Sequence, residues 1–468
     1  MKKGLIIGGI IIFLLIVILI VVAVVFKKGS DQPTNTSKTA YPSGPVTLTW
    51  WYLYDDEAAL TPTVQAYKQA HDNATINLVK KNPSGYETEL INAIANGSGP
   101  DLFQIKNDWL TKHEDKLSPM PEDYMSTDDY KKIFAPVAAQ DLIADNRIWG
   151  IPFYVDTLGL YYNKTLIGNY NYSVGRQADL SSDQIDKLRI DKVAENWTDL
   201  IGQIKKLTAK NGTNIAQSGI ALGTSNNVEA SQDILSLLML QNGTKMVSED
   251  KNTPTLNLSI EKSNDQIYYP GTSALDFYTS FAKPAKETYS WNASQATSTE
   301  AFIANKTAMM INYSYQIKQI KNSAPDLEYD FAPIPQVKGS DNRINYASYW
   351  PNVVSKNSQN SVVAWDFLKF ATDKDNMIQY KYLEITGRPT SRLDLVSEYL
   401  GDVDISVFKN QISTAQSWYK GQAPNKIDQI FNSMITAVTA KSQPAQKAID
   451  AAVENIKTLW ANKETDAP

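Results

Sequence analysis

Two patterns of apolar positions divide this chain. Residues 5–26 form an unbroken apolar run with no charged side chain, between two pairs of lysines. As a helix rising 1.5 Å per residue, the run is about 33 Å long and spans a bilayer core of about 30 Å. It is longer than the apolar region of a cleavable signal peptide, and no small-residue cleavage site follows it. We therefore expect an uncleaved transmembrane signal anchor, with residues 1–4 as a short cytoplasmic end.

From residue 46 onward the pattern changes to short runs with the periods of strands and helices. The run 46–52, VTLTWWY, alternates and is rich in β-branched and aromatic residues, which predicts a strand. The elements predicted after it are helices at 55–73 and 86–96 and strands at 76–79 and 101–105. Strand–helix–strand alternation at this spacing is typical of a parallel sheet flanked by helices, an α/β fold.

Composition narrows the class of protein. The chain has 468 residues and no cysteine, so its core must stabilise it without disulfides, which about 420 residues can do. The formal net charge of −5 and the absence of a basic run argue against nucleic acid as a partner. Residues 27–45, rich in Ser, Thr, Pro and Gly, are expected to be a flexible linker.

An aromatic segment at 148–164, IWGIPFYVDTLGLYYNK, is the most informative motif. Gly150 and Pro152 predict a turn, followed by a strand at 155–162. The segment resembles the crossover of the extracellular solute-binding proteins of ABC importers, the family that contains maltose-binding protein. In that family the crossover links two lobes and lines the cleft between them. The alternative, from the residues alone, is a pair of aromatic-rich core strands.

Other stretches are similar to the same family. Residues 97–101, GSGPD, lead from a helix into a strand, although a helix C-cap explains their glycines equally well. Residues 299–313, TEAFIANKTAMMINY, resemble a phenylalanine-bearing helix followed by Gly-Lys-x-Ala-Met and a strand. Asn305 stands where that pattern has Gly, and Asn tolerates the left-handed backbone required there. Residues 348–358 resemble the family's last strand of lobe 1. The other departures are the missing lipid-attachment cysteine and an insert-like stretch at 169–192.

The resemblance covers about residues 46–460 and implies a fold. We expect a two-lobed periplasmic-binding-protein-like fold of type II, each lobe a mainly parallel sheet flanked by helices. The implied boundaries are 46–156 and 332–375 for lobe 1, and 157–331 and 376–468 for lobe 2. Further crossings between the lobes are expected at 329–335 and before 387–389. The additional elements predicted are helices at 197–209, 230–240 and 362–371 and a strand at 219–222.

The chain lacks the signatures of common enzymes. It contains no G-x-S-x-G, no phosphate-binding glycine loop and no H-E-x-x-H, and His71 and His113 are expected at the surface. Asp55 and Asp56 are paired carboxylates of the kind that glycoside hydrolysis uses, but adjacent acids seldom flank one bond. First-turn helix acids, or acceptors for ligand hydroxyls, explain them better. We therefore expect a binding protein without catalytic residues, metal or cofactor.

The resemblance also implies where a ligand binds. Lobes that close about a hinge bury a ligand between them, and aromatic and polar side chains suit the faces and hydroxyls of a sugar. The ligand-binding residues expected from the family positions are Trp51, Tyr54, Asp55, Asp56, Gln104, Asp108, Tyr154, Asp156, Asn226, Asn227, Trp291, Tyr313, Tyr315, Tyr349, Trp350 and Arg388. Core packing is the alternative for each aromatic side chain. A hinge salt bridge is the alternative for Asp156, and a structural tie is the favoured role of Arg388.

The resemblance thus implies a membrane-anchored binding protein that captures a carbohydrate, in the first place an oligosaccharide. The expected partners are the membrane subunits of an ABC importer, with the binding domain on the extracellular side of a single-pass anchor. The same fold could instead bind a peptide, a polyamine or another organic solute, since residues 55–57 and the net charge suit a cation. A surface glycan-processing enzyme or adhesin is the third alternative.

Overall fold

The computed structural model describes residues 40–261, 266–398 and 403–463. The predicted membrane span and most of the linker lie outside these ranges, so both stay predictions. Among the helices within these ranges, none combines the length and the apolar character needed to cross a bilayer.

The strands within the described ranges form several sheets, and the first of the two main sheets is mainly parallel. The strands are β1 (Val46–Tyr52), β2 (Ala74–Lys80), β3 (Leu102–Gln104), β4 (Ile143–Ala144), β5 (Arg147–Ile148), β6 (Asp156–Asn163), β7 (Ala209–Asn211), β8 (Asn214–Gln217), β9 (Ile260–Glu261), β10 (Ile267–Tyr268), β11 (Met309–Tyr313), β12 (Tyr329–Ala332), β13 (Asn345–Ser348), β14 (Asn352–Val354) and β15 (Ala415–Gln416). The first sheet has the order β14–β3–β1–β2. In it β1 pairs in parallel with β2 and β3, whereas β14 runs antiparallel to β3. The predicted parallel sheet is confirmed, and β1 has the predicted bounds.

The second sheet is built around β6, which continues the aromatic segment. Strands β11, β12 and β13 each pair antiparallel with β6, while β13 and β15 pair in parallel. The expectation of a mainly parallel sheet in this lobe is therefore wrong. The physical reason is that β6 carries the chain away from the first lobe, and strands that return toward it beside β6 must run in the opposite direction.

The helices include all five that the apolar periodicity predicted and many that it did not. They are α1 (Glu57–Ala70), α2 (Tyr86–Ala95), α3 (Leu110–His113), α4 (Thr127–Ile133), α5 (Pro136–Leu142), α6 (Lys164–Gly175), α7 (Ser182–Leu188), α8 (Trp197–Leu207), α9 (Ser231–Gln241), α10 (Pro270–Ser280), α11 (Ser298–Ile303), α12 (Gln316–Ser323), α13 (Ser361–Ala371), α14 (Ile378–Thr386), α15 (Leu395–Glu398), α16 (Ser406–Asn410), α17 (Pro424–Thr439) and α18 (Ala445–Ala461), with 3₁₀ turns at Glu114–Lys116, Val403–Ile405 and Ile412–Thr414. The five helices predicted along the chain correspond to α1, α2, α8, α9 and α13. After α11, Asn305 has the expected left-handed backbone, with φ of 56°.

Two large hydrophobic cores define the lobes. The first surrounds β1, where Trp50 packs edge to face on Phe153 and Phe367 with ring centroids 5.7 and 5.5 Å apart. The second surrounds β6, where the buried rings of Tyr161 and Phe408 lie 5.9 Å apart. The first core lies mainly against the first sheet and the second core against the second sheet, so the chain has the two-lobed architecture that the resemblance implies.

The first crossing between the lobes lies where the sequence places it. Val155 belongs to the first core and Leu158 to the second, so the chain changes lobe within residues 148–164. The second crossing is the connection from β13 in the second sheet to β14 in the first. The crossing expected at 329–335 is wrong, because these residues form β12 and pack Phe331 and Ile334 into the second core.

The third crossing follows residues 387–389 rather than preceding them. Leu395 belongs to the first core and Ile405 to the second, so the chain changes lobe between these residues. Helix α14, which the sequence assigned to the second lobe, packs Tyr382 and Leu383 into the first core because it lies against α1. The remaining lobe boundaries stay a prediction.

Candidate functional site

The lobes enclose a cleft with a volume of about 880 Å³. It is lined by the loops at the ends of β1, β3 and β11, together with residues of the first and third crossings. Nine of the sixteen predicted ligand-binding residues line it, namely Tyr54, Asp55, Asp56, Tyr154, Asp156, Tyr313, Tyr315, Trp350 and Arg388. The volume of the cleft lies in the upper part of the range of small-molecule sites, roughly 300–1,000 Å³. The contact of these nine residues with a ligand stays a prediction.

Each lobe carries one pair of aromatic rings at the wall of the cleft. Tyr54, which follows β1, packs edge to face on Trp350 with ring centroids 5.4 Å apart. Tyr313, at the end of β11, stacks on Tyr315 with centroids 6.0 Å apart. Tyr54 and Tyr315 keep 48% and 52% of their surface exposed, much more than aromatic side chains of the core. Each lobe therefore offers a partly exposed aromatic surface to the cleft.

The guanidinium of Arg388 is occupied by the protein itself. Its Nε donates to Asp55 Oδ1 at 3.0 Å, and its Nη2 lies 2.9 Å from the same oxygen in an ion pair. The group also lies 4.1 Å from the ring centroid of Tyr154, in cation–π contact. The Tyr382 hydroxyl donates to the other Asp55 oxygen at 2.8 Å. Arg388 thus ties the end of α14 to the end of β1, in line with the structural role that the sequence favours.

Asp156 begins β6 and is 2% exposed. Its two oxygens accept hydrogen bonds from the backbone N–H groups of Ser314 at 3.0 Å and Tyr315 at 3.3 Å. Burial nevertheless raises the pKa of Asp156 to about 6. Asp156 therefore fixes the turn after β11 that presents the aromatic pair of the second lobe, and no hinge salt bridge to it is present among the described residues.

A cluster of buried charges joins the lobes beside the cleft. Lys420 Nζ lies 3.0 Å from Asp108 Oδ2 and 2.6 Å from Asp428 Oδ1. Lys106, which lines the cleft, lies 3.2 and 3.4 Å from the same two aspartates. Burial alone would raise the pKa of Asp108, but the two lysines hold it at about 2. Asp108, predicted to be a ligand partner, is therefore held in an ion network between β3 and the C-terminal segment of the second lobe.

Two acidic residues at the start of α9 line the cleft and were missed by the sequence analysis. Glu229 accepts hydrogen bonds from the hydroxyls of Thr299 and Ser298 and from the Asn312 amide. Asp233 Oδ2 accepts from the Tyr313 hydroxyl at 2.7 Å, and burial raises the pKa of its carboxyl. Both residues follow the polar loop at 223–227, so the position of that loop before a helix was the available signal.

An exposed ion pair connects the lobes at the cleft. Asp56 Oδ2 accepts from Lys318 Nζ on α12 at 2.8 Å, and Asp56 Oδ1 lies 3.3 Å from Lys80 Nζ. Lys318 and Lys80 both lower the pKa of Asp56, first through their hydrogen bonds. Asp55 and Asp56 therefore have separate partners and do not form a carboxylate pair across one bond.

Seven predicted ligand-binding residues do not line the cleft. Besides Asp108, they are Trp51, Gln104, Asn226, Asn227, Trp291 and Tyr349. Trp51 lies against Lys81, whose Nζ is 3.6 Å from the ring centroid. Tyr349 donates its hydroxyl to Asp141 at 2.8 Å in the interior of the first lobe. Trp51 packs in a hydrophobic cluster with Phe103 and Trp109, so an aromatic residue close in sequence to a cleft residue can be buried away from the cleft.

Two polar residues among these seven, Gln104 and Asn227, form hydrogen bonds with backbone groups of the protein instead. Gln104 Oε1 accepts from the Leu53 N–H at 3.0 Å. Asn227 donates to the carbonyls of Asn292 and Gln295, each at 3.0 Å, and accepts from Trp291 Nε1 at 3.1 Å. Trp291 is fully buried, so it forms part of the core of the second lobe rather than a wall of the cleft. Asn226 is exposed outside the cleft.

The histidines play no part in the cleft. His113 is buried and its Nε2 lies 2.9 Å from Glu87 Oε1, so the expectation of a surface position is wrong. His71 is partly exposed and stacks on Tyr41 with ring centroids 4.8 Å apart. Within the described ranges no group of three or more His, Cys, Asp or Glu side chains is arranged to hold a metal ion.

Solved structures share this architecture. The chain superimposes on the cyclic alpha-maltosyl-1,6-maltose binding protein from Arthrobacter globiformis with a TM-score of 0.73 at 17% identity, over 90% of this chain and 100% of that one. It superimposes on the sugar-binding protein MalE from Xanthomonas citri with a TM-score of 0.69 at 16% identity, over 89% and 98%. A stretch of 92 residues, 20% of each chain, is 32% identical to the maltotriose-binding protein of Pyrococcus abyssi (strain GE5 / Orsay).

The structural superpositions show the fold, and a match to the sequence pattern of a protein family shows the family. The pattern described as "Bacterial extracellular solute-binding protein" matches residues 50–378. That range contains the aromatic crossing, the helix and strand around Asn305, and β14, which are the stretches on which the sequence resemblance rests. A family of binding proteins agrees with the expectation that the chain binds rather than catalyses. The chain belongs to the family of bacterial extracellular solute-binding proteins.

Proposed function

We propose that the protein captures a carbohydrate of oligosaccharide length in the cleft, closes its lobes on it, and delivers it to the membrane subunits of an ABC importer. The observation that carries the proposal is the presence of an aromatic surface on each lobe. Tyr54 and Trp350 form one, and Tyr313 and Tyr315 form the other. Flat aromatic faces suit the C–H faces of sugar rings, and two such surfaces suit a ligand with more than one ring.

Polar groups between the aromatic surfaces support the same ligand class. The amide of Gln232, the hydroxyl of Ser314 and the ammonium of Lys106 all line the cleft. Hydroxyls of a bound sugar must be paired once closure excludes water, because an unpaired buried hydroxyl costs about 1–3 kcal/mol. The binding of cyclic maltosyl-maltose and of maltotriose by proteins similar to this chain also supports a glycan.

We further propose that residues 5–26 hold the protein in the cell membrane as a single-pass anchor, with the binding domain on the extracellular side. The length of the apolar run and the extracellular description of the family support this arrangement. The test is alkaline extraction of membranes from cells that express the full chain. Retention in the membrane pellet supports the anchor, and release into the supernatant contradicts it.

A surface enzyme is a weaker proposal because its candidate acids are occupied. Asp55 is paired with Arg388 and Tyr382, and Asp56 is paired with Lys318 and Lys80. A peptide or polyamine remains an alternative ligand for the same cleft, and the binding assay has to include both.

The proposal is tested by a thermal-shift screen of the full chain against mono- and oligosaccharides, with peptides and polyamines as parallel arms. A ligand that binds the folded state stabilises it by about 2.7 kcal/mol at a hundredfold excess over Kd. Stabilisation by an oligosaccharide supports the proposal. Stabilisation by peptides or polyamines alone, or by no compound, contradicts it.

Matched variants locate the binding surface. Tyr54→Ala and Tyr315→Ala each remove a partly exposed ring from one wall, and we expect each to weaken oligosaccharide binding about tenfold. Tyr172→Ala is the control, because Tyr172 on α6 is 65% exposed and lies outside the cleft. Equal affinities of all three variants, measured by titration calorimetry, would contradict a cleft site.

A further inference from the structure

Some charged side chains that line the cleft lack an oppositely charged neighbour. Most charged side chains in its lining have an oppositely charged neighbour, since Arg388 pairs with Asp55, Lys318 with Asp56, and Lys106 with Asp108. Three carboxylates on the wall of the second lobe and the first crossing differ. They are Asp156, Glu229 and Asp233, and none has a salt-bridge partner within 4.0 Å among the described residues.

The nearest lysines do not balance these carboxylates. Lys106 and Lys420 attract Asp233, but both are already engaged with Asp108 and Asp428, so the network holds two lysines for three aspartates. Asp156 and Glu229 each add a further negative charge, and Arg388, which is already paired with Asp55, attracts Asp156 without contacting it. When the lobes close and water leaves, unbalanced carboxylates become costly, and a neutral ligand does nothing to offset them.

Tyr315 lies next to one of these carboxylates, because its backbone N–H donates to Asp156 at 3.3 Å. The hydroxyl of Tyr315 feels the negative charge of Asp156, Glu229 and Asp233, and these charges add to the burial that raises its pKa. Its ring is about half exposed and stacks on Tyr313. Electron-rich aromatic faces with adjacent carboxylates are the usual surroundings of a bound ammonium group.

A second polar group lies in this wall. Ser314 is 3% exposed and lines the cleft, and its Oγ makes no hydrogen bond of regular geometry in the part of the chain that the structure describes, although it lies near Asp156 and lowers the pKa of that carboxyl. A buried hydroxyl is normally hydrogen-bonded, so this one is left for a group that enters the cleft. Ser314 is the residue between Tyr313 and Tyr315 in the sequence, and its backbone N–H donates to Asp156 at 3.0 Å.

We infer that the cargo is a carbohydrate with protonated amino groups, and that an ammonium group of this amino sugar lies against Asp156, Glu229 and Asp233 beside the Tyr315 ring. This inference rests on the proposed function, because the aromatic surfaces of both lobes still hold the sugar rings. The Ser314 hydroxyl then accepts or donates a hydrogen bond to the same sugar residue.

The test compares three trisaccharides by titration calorimetry with the full chain. They are the β-1,4 trimer of glucosamine, its fully N-acetylated form and maltotriose, at a pH of about 6.5, where a large fraction of the free amines carries a proton. We expect the free-amine trimer to bind at least about tenfold more tightly than the other two. We also expect its affinity to fall when the salt concentration is raised, because charge attraction is screened.

Variants of the carboxylates test whether the preference for the free amine comes from Asp156, Glu229 and Asp233. Glu229→Gln keeps an acceptor for Thr299, Ser298 and Asn312 but removes one charge, and we expect it to cut the preference for the free amine to less than about threefold. Asp233→Asn gives an independent second variant. Glu454→Gln removes an exposed charge on α18 outside the cleft and should leave the preference unchanged.

The possible results separate the inference from the proposed function. Equal or tighter binding of the acetylated trimer or maltotriose would overturn the amino-sugar inference and leave the carbohydrate proposal standing. A preference for the free amine that survives both charge-removing variants would overturn the assignment to this cluster. Binding of spermidine without binding of any sugar, or no binding at all, would overturn the proposed function and the inference together.

Discussion

Removal of Lys420 tests whether the buried ion network holds the lobes together. Lys420 Nζ contacts Asp108 of the first lobe and Asp428 of the second, and its side chain is 2% exposed. Lys420→Met keeps most of the volume and removes the charge. Three aspartates, with Asp233, would then face Lys106 alone.

The magnitude follows from burial. Breaking a buried ion pair by removing one partner typically costs 3–5 kcal/mol, because it leaves an uncompensated charge, and Lys106 still offsets part of that charge here. We expect Lys420→Met to lower the free energy of unfolding by about 3 kcal/mol. Urea unfolding of the full chain, followed by tryptophan fluorescence, measures this change if the slope with denaturant stays constant.

Two further variants test whether the loss of stability depends on the burial of the lysine and on the charge that its removal leaves unpaired. Lys318 also joins the two lobes, to Asp56, but its side chain is 74% exposed, so Lys318→Met should cost less than about 1 kcal/mol. The double variant Lys420→Met with Asp428→Asn removes one charge of each sign and should recover part of the loss. A cost for Lys420→Met below about 1 kcal/mol, or equal to that of Lys318→Met, would refute the reasoning.

Three other predictions concern single positions. Burial raises the pKa of Asp141 to about 6 from 3.8, so its protonated form stabilises the fold at low pH and this stability is lost as the pH rises from about 4 to about 6. Asp141→Asn should flatten the pH dependence of urea unfolding by about 1–2 kcal/mol in that window, after allowing for partial exposure, and an unchanged slope would contradict this. A methyl group at Gly159 would lie 2.8 Å from Phe408 Cζ, so Gly159→Ala should lower stability by about 1–3 kcal/mol, and a neutral effect in urea unfolding would refute the close packing. Because Asn305 has φ of 56°, Asn305→Gly should be about 1 kcal/mol more stable than Asn305→Ala in thermal unfolding, and the reverse order would exclude backbone strain as the cause.

Local patterns predicted the elements of the first sheet well. The alternation and the β-branched content of VTLTWWY predicted β1 to the residue, and the 3.6-residue period predicted α1 and α2 within three residues. Such patterns depend on neighbours a few positions apart, so they are readable from one sequence. The left-handed backbone at Asn305 was predictable for the same reason, since few residue types tolerate it.

Pairing between distant strands was less predictable. The antiparallel arrangement around β6 and the position of the later crossings depend on which strands meet in space, and the sequence carries no local mark of that choice. Helix α14 has an ordinary amphipathic pattern, and its place on α1 follows from the surface that the first lobe leaves open to it.

The sequence by itself determined the class of fold, the resemblance to a family of binding proteins, and the aromatic positions at strand ends near the cleft. The tertiary structure alone decided which of these side chains face it. Trp51 and Tyr54 are three residues apart, yet one is buried under Lys81 and the other lines the cleft. It also decided which acids are paired, because Arg388 reaches Asp55 from a segment more than three hundred residues away. Burial and charge balance are properties of neighbours in space, and these neighbours are set by folding rather than by spacing along the chain.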